Sequence, residues 1–82
     1  ADGFAGEQWV LTAQDGTTLI VTQDGFDGDV VDFYAHRQGW EWTRRPEAGE
    51  VDPRKGRCTL AAKNDTTLTV TCGPDSQDVS RP

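Results

Sequence analysis

Residues 11–23 read LTAQDGTTLIVTQ and residues 60–72 read LAAKNDTTLTVTC. Aligned without gaps at an offset of 49 they agree at 7 of 13 positions, including the run Thr-Thr-Leu-x-Val-Thr. Each copy alternates apolar with polar residues, crosses an Asp-Gly or Asn-Asp turn, and alternates again, which is the pattern of a β-hairpin. Side chains two apart share a face of a strand. Trp9, Leu11, Ala13, Leu19 and Val21 therefore make one apolar face, and Cys58, Leu60, Ala62, Leu68 and Val70 make another, followed by Cys72.

The cysteines set the register of the second copy. Opposed in an antiparallel pair, Cys58 and Cys72 come within disulfide reach, and Leu60 then meets Val70 while Ala62 meets Leu68. The same register in the first copy pairs Trp9 with Gln23, Leu11 with Val21 and Ala13 with Leu19. It leaves Thr17 and Thr66 at the last position of a three-residue loop, where a left-handed Gly or Asn is usual, so a five-residue loop is the alternative.

Between the copies, residues 30–45 read VVDFYAHRQGWEWTRR. A turn at Gln38-Gly39 makes a third hairpin that pairs Ala35 with Trp42 and Arg37 with Trp40. Val31, Phe33, Ala35, Trp40 and Trp42 then share an apolar face, with Tyr34, His36, Glu41 and Thr43 opposite. Three one-sided hairpins hide their apolar faces only against one another. The expected fold is all-β: a small antiparallel sandwich or partly closed barrel of about six strands, with one disulfide, as a single domain over residues 1–82. Residues 73–82 hold Val79 as their one aliphatic side chain beyond proline and are expected to form a weakly ordered tail, either mobile or a weak edge strand.

The chain has 82 residues, 34% of them hydrophobic, so its core is thin and a Cys58–Cys72 staple suits it. The two cysteines lack the Cys-x-x-Cys spacing of a redox pair, and a single His makes a poor zinc set. The opening Ala1-Asp2-Gly3 has the look of a mature exported product, and the expected location is secreted. No apolar run approaches the roughly 20 residues that span a bilayer. A net charge of −6 argues against a nucleic-acid partner. The charge is graded along the chain, since residues 1–36 contain no Lys or Arg.

Four features invite a functional reading. In residues 24–32 the acids Asp24, Asp27, Asp29 and Asp32 fall at positions 1, 4, 6 and 9, which misses the calcium-loop spacing, so these are read as turn residues and no metal or cofactor is expected. Tyr34, Trp40 and Trp42 offer a stacking platform for sugar, against which stands a core that needs the two tryptophans. Arg44, Arg45, Arg54, Lys55 and Arg57 gather in a Pro- and Glu-rich connection and suggest a protruding protein-binding loop with arginine anchors. With one His, and with Ser76 and Ser80 in the tail, no catalytic set is identified and the chain is not read as an enzyme. The expectation is a monomeric, non-catalytic binding module, an inhibitor or ligand of another secreted protein such as a hydrolase, with a carbohydrate- or cell-surface-binding module as the alternative. Exposure of a tryptophan favours the second; a buried pair with an ordered, protruding 44–57 loop favours the first.

Overall fold

A computed structural model describes residues 7–24, 30–36 and 41–82. These residues contain seven strands and no helix: β1 (Glu7–Thr12), β2 (Thr18–Asp24), β3 (Val30–His36), β4 (Trp42–Arg44), β5 (Cys58–Ala62), β6 (Thr67–Cys72) and β7 (Asp75–Ser80). They form two antiparallel sheets, β1-β2-β3-β4 and β5-β6-β7, each a simple meander. The sheets do not close into a barrel and are packed as a sandwich. Leu19, Val21, Val31, Phe33 and Ala35 from the first sheet meet Leu60, Leu68, Val70, Cys72 and Val79 from the second in one core. Trp9 and Leu11 on β1 and Cys58 on β5 pack against it half-buried.

The second hairpin has the register its cysteines require: Cys58 opposes Cys72, Leu60 opposes Val70 and Ala62 opposes Leu68. The Cys58–Cys72 disulfide is formed, with its Cα atoms 4.0 Å apart. The first hairpin corrects the expected pairing by two residues, for Trp9 opposes Val21 and Leu11 opposes Leu19, while Gln23 faces Glu7. The turn gives the reason. Gly16 N donates to Ala13 O and Ala13 N to Thr17 O, with Gly16 at φ 91°, so the loop is three residues long and its left-handed last position falls on Gly16 rather than on Thr17. The second loop has no left-handed residue. The two copies share instead an Asx turn: Asp15 Oδ1 accepts from Thr17 N and Asn64 Oδ1 from Thr66 N, both at 2.9 Å.

The tail takes the edge-strand form of the two expected for it, and it is ordered along its length. Residues 75–80 form β7, an edge strand on β6 with Val79 fully buried opposite Leu68. Gly73, at φ 60°, and Pro74 make the two-residue turn that enters it, with glycine at the first central position as a type II′ turn requires. A strand as polar as Asp-Ser-Gln-Asp-Val-Ser holds because Val79 joins the core and the connection after β4 lies along it. Gln77 Oε1 accepts from the backbone N–H of Glu50 and of Val51, and Gln77 Nε2 donates to Ala48 O at 2.9 Å. Val51 and Pro53, within that connection, are buried.

Candidate functional site

The pairing of β3 with β4 brings the site into being. His36 opposes Trp42, Ala35 opposes Thr43 and Tyr34 opposes Arg44. This is one residue away from the expected pairing of Ala35 with Trp42, and a one-residue slip turns every side chain of a strand to the other face. Trp42 is therefore not a core residue; it stands on the outer face, 40% exposed. Trp42 and Arg44 lie two apart and must share a face, so a buried Trp42 would have carried the Arg44 guanidinium toward the core. In the observed register the small Thr43 faces inward, and Arg44 reaches outward to Asp32, Nη2 to Oδ1 at 2.8 Å. That ion pair holds the guanidinium's pKa above its ordinary value, first through the hydrogen bond that Arg44 donates to Asp32 and then through the carboxylate's charge.

Across the outer face of this sheet the register aligns Val10, Ile20, Tyr34 and Arg44 in one cross-strand row. Gln8, Thr22 and Asp32 form the next row. His36 and Trp42 lie on the other side, their ring centroids 4.9 Å apart and their planes tilted by 57°. Gln8, Ile20, Thr22, Tyr34 and Trp42 line a shallow cleft of about 290 Å³. Its surface is an aromatic and aliphatic strip with amide, hydroxyl, carboxylate, guanidinium and imidazole groups at its margins. Val10 and Val30 add exposed aliphatic surface to the same face, 59% and 49% exposed. Sequence reasoning found Tyr34 and Trp42 but missed Val10, Ile20, Gln8 and Thr22. Their signal lay in Trp9-Val10-Leu11 and Leu19-Ile20-Val21, where apolar residues occupy both parities and one must face outward.

No family model, curated protein or solved structure matches this chain.

The basic residues do not form a single protruding loop. Arg44 belongs to the sheet face just described. Arg45 lies half-buried against β7, with Nη2 3.2 Å from Ser80 Oγ, and Ser80 Oγ in turn donates to Glu47 Oε1 at 3.1 Å. Arg54 Nε pairs with Glu7 Oε1 at 3.1 Å. Lys55 and Arg57 are exposed at the approach to β5. Trp40 and Arg37 lie outside the described residues, as do residues 25–29 of the acidic stretch. Among the described residues no three of His, Cys, Asp and Glu gather as a metal site would require.

Gln23 is the one buried polar side chain among the described residues. Its Nε2 donates to Asp52 Oδ1 at 3.2 Å, and its Oε1 has no partner there. Asp52 also accepts from Arg54 N at 2.9 Å; that bond first, then the one from Gln23, holds its carboxyl below the ordinary value. This pair fastens the connection after β4 to the inner face of β2.

Proposed function

We propose that this chain is an exported, non-catalytic module that binds carbohydrate through the outer face of its four-stranded sheet. The observation that carries the reading is the outward Trp42 beside Tyr34 over the Ile20 strip. The C–H groups on one face of a pyranose carry partial positive charge and match the negative face of an aromatic ring, while the ring hydroxyls reach polar groups at its margin. Gln8, Thr22, Asp32, His36 and Arg44 are such a margin. The disulfide is compatible with an extracellular, oxidising location, where such ligands are met.

The protein-binding reading, an inhibitor or ligand of another secreted protein, draws on the exposure of Lys55 and Arg57. It is the weaker of the two, because Arg44, Arg45 and Arg54 each have an intramolecular partner and residues 48–51 lie against β7.

The test is retention on a panel of insoluble polysaccharides, followed by titration of soluble oligosaccharides with tryptophan fluorescence as readout. Trp42→Ala and Tyr34→Ala are expected to weaken binding at least tenfold each while leaving the melting temperature within about 3 °C of the parent. Lys55→Ala with Arg57→Ala is expected to leave it unchanged. Absence of retention on every polysaccharide, or loss of binding only in the Lys55/Arg57 variant, rejects the carbohydrate reading.

A further inference from the structure

The strand pairings lay the outer face of the four-stranded sheet out as a grid, and backbone chirality fixes its left and right. Arg45 N donates to Phe33 O, so Phe33 turns its backbone groups to β4 and Tyr34 turns its own to β2. On a strand drawn upward, an L-residue whose side chain points at the viewer has its N–H and C=O on the right. With β3 upward and Tyr34 toward the viewer, β2 and β1 therefore lie to the right and β4 to the left. Trp42, opposite His36, stands at the upper left corner. Gln8, in the row of Thr22 and Asp32, stands at the lower right.

Strand twist then shapes the face. Its fixed hand bends an open sheet into a saddle, and on this face the upper left and lower right corners rise while the other two fall. The trough of the saddle is the diagonal from Trp42 to Gln8. The cleft follows it: Trp42 on β4, Tyr34 on β3, Ile20 and Thr22 on β2, Gln8 on β1. Three strand spacings across, about 14 Å, and four residues along, about 13 Å, make a diagonal of roughly 19 Å. The lining changes in order along that line, with two aromatic rings at the β4 end, Ile20 in the middle, and a hydroxyl and an amide at the β1 end. Neither a cation nor a carboxylate lines it, and Asp32 and Arg44 at the lower left corner are joined to each other at 2.8 Å.

Building on the carbohydrate reading above, we infer that this face binds a linear, uncharged polysaccharide lengthwise, with successive sugar rings along the diagonal from Trp42 to Gln8. A single ring fills only part of a trough of that length, and one stacked at the aromatic end leaves Thr22 and Gln8 without a ligand. A chain engages both ends, its ring faces on Trp42 and Tyr34 and its hydroxyls on Thr22 and Gln8. A polyanion meets the repulsion of a molecule of net charge −6 and finds no cation in the trough to offset it. A polycation finds no carboxylate among the same residues.

Retention of the full chain on cellulose, chitin, mannan and starch, compared with polygalacturonate and chitosan, tests the charge. Calorimetric titration with oligomers of the retained polymer, from the disaccharide upward, tests the length. Retention is expected on an uncharged polymer and is expected to survive added salt, because no ion pair with the ligand is there to be screened. Affinity is expected to rise roughly tenfold or more from the disaccharide to an oligomer that fills the trough. Gln8→Ala, at an exposed position, is expected to remove most of that rise while leaving the disaccharide's affinity as it was. Trp42→Ala is expected to weaken both. Thr12→Ala, exposed on the same face at the upper right corner, off the diagonal, is expected to change neither. Affinity independent of length, a Gln8→Ala variant with the parent's length dependence, or retention on the charged polymers alone overturns the inference and leaves the carbohydrate reading standing. Retention on none of these polymers overturns both.

Discussion

Arg81 Nη2 donates to Asp15 Oδ2 at 3.0 Å, joining the end of the chain to the turn of the first hairpin. The same guanidinium donates from Nη1 to Thr17 Oγ1 at 3.0 Å and from Nε to Asn64 O at 2.9 Å, and Arg81 N donates to Thr66 O at 2.9 Å. One residue thus ties together the two turns that the sequence repeats, one from each sheet. Arg81→Ala removes the side-chain bonds to both turns and is expected to lower the melting temperature by roughly 5 °C or more, as read by differential scanning calorimetry.

Asp15 is held down to a pKa of about 2, first by the backbone N–H of Thr17 and its hydroxyl and then by Arg81. Asp78 is lowered by Lys63 and then by Thr69, and Asp52 by Arg54 N–H and then by Gln23. All three are carboxylates whose folded pKa lies below the unfolded one. Their contribution is fully present above the unfolded value and is lost as pH falls through the folded values. Stability is expected to be level above about pH 5 and to decline from about pH 4 toward pH 2, with Asp15 protonating late. A melting temperature that rises on acidification through that window contradicts the assignment. In Arg81→Ala, NMR titration should still find Asp15 below its ordinary value, because Thr17 is the larger cause.

The disulfide closes a loop with a sequence separation of 14 between β5 and β6. In the chain-entropy account such a loop contributes about 3 kcal/mol, a large part of what so small a domain has. Cys58→Ala with Cys72→Ala is expected to lower the melting temperature by more than about 10 °C. Thiol titration of the native protein is expected to find no free thiol, and two free thiols would refute the pairing.

Gly49 crosses β3 at close quarters. Gly49 N donates to Val31 O at 3.2 Å, and a Cβ added at Gly49 would collide with the Cβ and the carbonyl of Val31. Gly49→Ala is expected to cost about 1–3 kcal/mol in chemical denaturation, more than the control Ala48→Ser at the exposed neighbouring position. A variant as stable as the parent would mean that the connection after β4 can lift from the sheet.

Much of this protein was legible in its residues before any coordinate. Alternation at period two showed the strands and chose the buried faces of β2, β3 and β6. The spacing of Cys58 and Cys72 specified the second hairpin because only one antiparallel register opposes them. The first hairpin was legible in kind but not in register: parity is unchanged by a two-residue slide, and Gly16, the residue able to take φ 91°, selected among slides that patterning could not separate. β7 was legible only as one of two alternatives, a mobile tail or a weak edge, because its composition is that of a loop. Its strand form comes from Val79, Gln77 and the connection that covers it, all of them contacts distant in sequence. Trp42 shows the division most sharply. Its identity announced an aromatic surface or an aromatic core, and the choice rested on whether β4 pairs with β3 at Ala35 or at His36. Burying a guanidinium two residues away costs more than exposing an indole, so Arg44 took Trp42 outward. Sequence alone determined which residues alternate and which two sulfurs meet; tertiary structure decided which face each strand shows, because that depends on the registers that pack two sheets together.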